Sequence, residues 1–167
     1  MAIELIVLDV EGTLTNGKIV FDNNGDELKC LNVKDGLAIK TWTKSFGKNM
    51  AIISGRESSS VKRRAEELGI QYIFQGETDK LNVIKGLCKE LGIEMSQVAA
   101  IGDDLNDYNL LDSLENSFCP NDATKEITKV SRTILRKSGG DGAVREMIEH
   151  ICIFDDLREE FLNHYKG

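Results

Sequence analysis

Apolar residues fall into short runs at 3–8, 50–53, 72–74, 98–101, 117–119 and 133–135, several of them rich in Val and Ile. Between them, residues 61–68, 81–91 and 106–114 carry apolar positions at three- and four-residue spacing. Unbroken apolar runs of this length read as strands buried on both faces, and the wider spacing reads as amphipathic helices. Their alternation predicts an α/β fold, a Rossmann-like three-layer arrangement of a parallel sheet with helices on both sides. Gly69 and Gly92, each between a Leu and an Ile, mark helix C-termini leading toward the next strand. Trp42 and Phe46, four apart, form the core stripe of a further helix.

Segment 18–33 interrupts this rhythm. Residues 18–21 and 27–31 flank the turn signal Asp22-Asn23-Asn24-Gly25-Asp26, which predicts a β-hairpin inserted after the first strand. With 167 residues in all, the chain is expected to form one domain, 1–167, with no large cap domain.

The predicted topology gives certain polar residues a common address, because open α/β sheets bind ligands just beyond the carboxyl ends of their strands. Asp9 and Glu11 follow the first strand, Ser54-Gly55-Arg56 follows the strand ending at Ile53, and Lys80 opens the helix after Phe74. The run Gly102-Asp103-Asp104-Leu105-Asn106-Asp107 follows the strand ending at Ile101. Carboxylates, a hydroxyl, a lysine and an arginine on one rim suit phosphoryl transfer. A carboxylate can attack phosphorus if a hard cation screens the two anions. Magnesium needs few protein oxygens, and Asp9, the Glu11 backbone carbonyl and Asp103 meet that count. Ser54 and Lys80 are placed to hold the phosphoryl oxygens.

Composition narrows the partners. A formal charge of −7 excludes a basic nucleic-acid-binding face, and no run is long enough to span a membrane. The four cysteines, Cys30, Cys88, Cys119 and Cys152, form no C-x-x-C pair and are expected to be buried reduced thiols. No signal peptide is evident, so a cytoplasmic protein is expected. His150 and His164 lie outside every motif and are assigned to packing or the surface. Asp104, Asp107 and Asp35 also fit helix caps.

The Asp9–Thr15 segment, Asn32-Val33-Lys34-Asp35-Gly36, Ser54-Gly55-Arg56, Gln75-Gly76, Lys80, the Gly102 to Asp107 run and the segment Gly139 to Glu146 stand in order along nearly the whole chain. In this the sequence resembles the haloacid dehalogenase superfamily and, within it, the 3-deoxy-D-manno-octulosonate 8-phosphate (KDO 8-phosphate) phosphatase family. The resemblance implies that Asp9 is nucleophile and Mg2+ ligand, Glu11 the general acid/base and Asp103 the remaining metal ligand. Ser54 and Lys80 would hold the transferring group, with Asp104 and Asp107 positioning a water or Lys80. Asn32, Val33, Lys34, Asp35, Gly36, Lys40, Arg56 and Arg64 match substrate-contact positions. The hairpin would build a homotetramer, and the tail after Gly139 would reach toward a neighbouring site.

The family pattern has aspartate where this chain has Glu11. The added methylene shifts the reactive oxygens by about one carbon–carbon bond. A misplacement on that scale can cost about a hundredfold in rate, so restoring aspartate is expected to raise turnover. Two alternatives accompany the main reading: a phosphatase for nine-carbon acylneuraminate or KDN 9-phosphates, and a weakly active or degenerate binding or oligomerisation module.

Overall fold

The computed structural model describes residues 2–166. Its main sheet has six parallel strands in the spatial order β5-β4-β1-β6-β7-β8. In chain order these are β1 (Leu5–Leu8), β4 (Asn49–Ser54), β5 (Tyr72–Gln75), β6 (Val98–Ile101), β7 (Asn116–Cys119) and β8 (Thr133–Ile134). The intervening β2 (Val20–Phe21) and β3 (Glu27–Leu28) form a separate antiparallel hairpin, with strands shorter than the sequence runs predict. Its turn is closed by Asp22, whose carboxylate accepts the amides of Asn24 and Asp26.

The two faces of the sheet carry different helices because side chains alternate along each strand. Ile6 and Leu8 of β1, with Met50 and Ile52 of β4, pack beneath α1 (Val33–Lys40), α2 (Ser59–Leu68) and α6 (Ala143–Phe154). Leu5, Val7, Ala51 and Ile53 face α3 (Lys80–Leu91), α4 (Tyr108–Asp112) and α5 (Lys125–Val130). The last helix, α7 (Arg158–Asn163), adds Phe161 to the first of these cores. Gly69 and Gly92 end α2 and α3 in left-handed conformation, as their flanking residues predict. No helix of the described residues is long and apolar enough to cross a membrane.

Several local expectations change. Trp42 is fully buried, but it lies on a π-helical turn, Thr41–Ser45, continuing from α1. The cap of α1 is Asn32, whose side chain accepts the Lys34 amide at 2.8 Å, and not Asp35. Cys88, Cys119 and Cys152 are buried, whereas Cys30 is exposed, because it follows a hairpin strand that lies outside the main sheet. Gly140 closes against the loop after β1: its amide donates to the Thr13 carbonyl at 2.9 Å, and Asn32 Nδ2 donates to its carbonyl at 3.2 Å. His150 stacks between Phe118 and Phe154, and His164 lies against Tyr165.

Asp35 ties two helices together. It sits in the first turn of α1, and its Oδ1 accepts the Arg145 amide of α6 at 2.7 Å, while its buried Oδ2 has no partner. Burial pushes its carboxyl from 3.8 up to about 6, against the backbone amides of Arg145 and Gly142, which favour the charged form. The folded protein therefore holds this proton more tightly than the unfolded chain. This contribution to stability is full below pH 3.8 and is lost as pH rises through about 6. At about 1.4 kcal/mol per pKa unit, the loss approaches about 3 kcal/mol. In urea unfolding, the stability of Asp35→Asn, which keeps an acceptor for Arg145, is expected to rise relative to the parent by about 2–3 kcal/mol between about pH 4 and about pH 7, because only the parent loses the contribution. A difference independent of pH contradicts this assignment.

Candidate active site

The strand order reverses at β1 and β6: the connection from β1 leads toward β4, and that from β6 leads toward β7. A crevice opens beyond the carboxyl ends of adjacent strands at such a point. Asp9 follows β1 directly, Asp103 lies two residues past β6, and Ser54 ends β4. Lys80 is the first residue of α3, which starts when the Asp79 side chain caps the Asn82 amide at 3.1 Å.

Lys80 Nζ stands 2.5 Å from Asp9 Oδ1 and 2.5 Å from Asp107 Oδ1, and none of the three side chains is more than 3% exposed. Asp107 Oδ2 accepts the Asp103 amide at 3.1 Å, so one carboxylate fixes both the lysine and the loop carrying Asp103. Asp104 caps the 3-10 turn Leu105–Asp107 through its Oδ1, which accepts the Leu105 amide at 2.7 Å. Gly12 has φ +84°, and a Cβ there would collide with the Asp103 carboxylate, so this close approach requires glycine.

Charge in the crevice is out of balance. Asp9, Asp103 and Asp107 can bring carboxylate oxygens within 4.8 Å of one another around a single ammonium. Burial and then the Asp107 carboxylate push the Asp9 carboxyl well above its ordinary value, and Lys80 offsets only part of this. Burial, followed by Asp107 and Asp104, pushes Asp103 up to about 7. For Lys80, burial acts to lower the pKa, but Asp9 and Asp107 together outweigh it and raise the ammonium above its usual value. Asp9 Oδ2 is buried without a hydrogen-bond partner. An unpartnered carboxylate oxygen beside a second carboxylate, both costly to ionise, fits a hard divalent cation. Asp107 is already committed to Lys80 and the loop, which leaves Asp9 and Asp103 as the available carboxylate donors.

A second polar group stands beside the first. Glu11 Oε2 accepts the Ser54 hydroxyl at 2.9 Å, and Glu11 Oε1 lies 2.6 Å from Lys29 Nζ. Lys29 also pairs with Glu27 at 3.1 Å, and Glu27 in turn holds Arg56 at 3.1 Å. The Lys29 hydrogen bond holds the Glu27 carboxyl below its usual range.

Comparison with known proteins assigns this architecture. Residues 69–148 match the family described as haloacid dehalogenase-like hydrolase. The chain is 38% identical over 158 residues to the 3-deoxy-D-manno-octulosonate 8-phosphate phosphatase of Escherichia coli K12, covering 95% of this chain and 84% of that one. The chain belongs to the KDO 8-phosphate phosphatase family. A solved member from Moraxella catarrhalis, in complex with magnesium ion, phosphate ion and KDO, superimposes with TM-score 0.93 at 40% identity, over 98% of this chain and 93% of that one. The cobalt-bound Haemophilus influenzae phosphatase gives TM-score 0.88 at 34% identity, over 95% and 92% of the two chains.

Relative to this family frame, the structure gathers Asp9, Glu11, Ser54, Lys80, Asp103 and Asp107 along one rim. Arg56 stands exposed at its mouth, linked to it through Glu27. Other predicted contacts are not brought to the cluster within the chain. Asp35 is committed to α6, and Arg64 lies over Gly36 and pairs with Glu67 at 2.8 Å. Lys40 lines an outer groove with Lys44 and Tyr165, because α1 runs away from the rim. Val33 and Lys34 are exposed at the start of α1, next to its cap Asn32.

Lys29 and Glu27 escaped the sequence reading, since a lysine and a glutamate near a hairpin turn read as solvated charge. The available signal was their spacing of two, which puts both on one face of the hairpin strand. The donor set predicts binding that does not depend on turnover. Magnesium at about a hundredfold its Kd is expected to stabilise the folded chain by about 2.7 kcal/mol, read as a rise in the thermal unfolding midpoint. Asp103→Asn is expected to lose most of that rise, and an undiminished rise would exclude Asp103 as a ligand.

Proposed function

We propose that this chain is a magnesium-dependent phosphatase that hydrolyses KDO 8-phosphate through an aspartyl-phosphate on Asp9. The observation that carries the reading is the Asp9 carboxylate, held through one oxygen by Lys80 while the other is buried and unpartnered in the crevice shared with Asp103. Oriented by the lysine, this carboxylate bonds to phosphorus as the bond between phosphorus and the sugar oxygen breaks. Glu11 gives a proton to that leaving oxygen, then takes one from the water that attacks the phosphorus of the aspartyl-phosphate, so that phosphate leaves and Asp9 is regenerated. Lys80 holds the phosphoryl oxygens, and Ser54 joins it by turning its hydroxyl proton from Glu11 to the bound phosphoryl group. Asp9, the Glu11 carbonyl and Asp103 would hold magnesium, which when bound would supply the positive charge that screens the two anions from each other.

Arg56, exposed beside the rim, is suited to the substrate carboxylate, and Asn32 and Gly36 share a pocket with Arg64 that offers the substrate a further wall. The names of the related phosphatases favour the eight-carbon substrate over a nine-carbon one. The protein acts as a single domain in the cytoplasm. Ile19, Val20, Phe21 and Leu28 on the hairpin are about half exposed or more, which supports a homotetramer built through it.

Phosphate release should be measured on eight- and nine-carbon sugar-acid phosphates, with and without magnesium. Turnover is expected to require the metal and to favour KDO 8-phosphate, and Asp9→Asn is expected to lower kcat about a thousandfold or more. Preference for a nine-carbon phosphate would overturn the substrate assignment. No release from any substrate would overturn the enzyme reading.

A further inference from the structure

The hairpin brings a second buried ammonium to the rim. The Lys29 side chain is 3% exposed, and its Nζ lies 2.6 Å from Glu11 and 3.1 Å from Glu27. Glu27 and Lys29 face inward on alternate positions, whereas Leu28 and Cys30 between and after them are exposed. Lys80 holds Asp9 from α3, and Lys29 reaches Glu11 from the hairpin.

Both oxygens of Glu11 are engaged, Oε2 by the Ser54 hydroxyl at 2.9 Å and Oε1 by Lys29. The Ser54 oxygen is fixed in turn by the Arg56 amide, which donates to it at 3.0 Å. The glutamate side chain is thus held at two points, one on the end of β4 and one on the hairpin. An aspartate at this position would end about one carbon–carbon bond short and could not span both partners unchanged. The added methylene is therefore matched by a partner elsewhere in the chain.

We propose that Lys29 is a positioning residue that acts through Glu11, with the Lys29–Glu27 pair setting the glutamate carboxyl where a proton must pass to the leaving oxygen. The proposal rests on the phosphatase reading above. Arg56 joins the same ion-pair chain through Glu27, so the residue suited to the substrate carboxylate and the residue that moves the proton share one support. Glutamate at position 11 belongs to this arrangement, and restoring aspartate is expected to slow the enzyme, the reverse of the expectation from the sequence alone.

The test is a double-mutant cycle on the full chain with magnesium and KDO 8-phosphate: parent, Lys29→Met, Glu11→Asp and the double variant, with Lys29→Arg as the conservative replacement. Lys29→Met keeps the aliphatic stem, and thermal unfolding of each variant checks the fold. Lys29→Met and Glu11→Asp are each expected to lower kcat by about tenfold or more, with KM within about twofold of the parent. In the Glu11→Asp background, Lys29→Met is expected to cost less than about threefold more, because its target has already been displaced. Lys29→Arg is expected to keep most of kcat. Equal losses from Lys29→Met in both backgrounds would overturn the proposal, as would a loss confined to KM, a Lys29→Arg variant as slow as Lys29→Met, or a fall in kcat that merely follows a lost unfolding transition. These outcomes leave the phosphatase reading standing if the parent turns over. A parent without magnesium-dependent turnover overturns both.

Discussion

The ammonium of Lys80, 2.5 Å from both Asp9 and Asp107 and almost wholly buried, ties three separate parts of the chain into one site. Asp9 comes from the end of β1, Asp107 from the turn after β6 and Lys80 from the first turn of α3. A buried charge of either sign is costly alone, and here each depends on the others. The lysine fixes the orientation of the Asp9 carboxylate, and through Asp107 it also fixes the loop that presents Asp103. One positive charge among three carboxylates still leaves an excess of negative charge, which is the electrostatic reason that the crevice suits a divalent cation.

The hairpin extends the same logic on the other side of the rim. It contributes nothing to the main sheet, and its strands are only two residues long, yet it places Lys29 and Glu27 where they pair with Glu11 and Arg56. A short insertion after the first strand thus supplies charge to the rim. Exposed apolar side chains on its other positions give it a second, apolar surface, so the same few residues present charge on one face and hydrophobic area on the other.

The sheet and most of the rim were legible in the sequence because both follow from strong local patterns. Apolar runs such as 98–101 are buried on both faces in the structure, and residues placed just after them necessarily share the sheet's carboxyl edge. Asp9, Ser54, Lys80 and Asp103 were found that way. Side-chain pairing over long sequence separations was not legible. Nothing near Lys29 says that it meets Glu11, and nothing near Asp35 says that it will bind the start of α6 in place of capping its own helix. Lys40 and Arg64 lie outside the ion-pair cluster for a geometric reason: they stand on α1 and α2, where Lys40 lines an outer groove and Arg64 lines a pocket with Asn32 and Gly36.

The central claim is that Asp9 is the nucleophile whose carboxylate takes the phosphoryl group. Rapid quenching of the enzyme during turnover of KDO 8-phosphate, followed by borohydride reduction and peptide mapping, reads this directly, because reduction converts an aspartyl-phosphate to homoserine. Homoserine at position 9, formed only when magnesium and substrate are both present, is the predicted result. Homoserine at Asp103, or turnover with no modified residue at any quench time, would contradict the account.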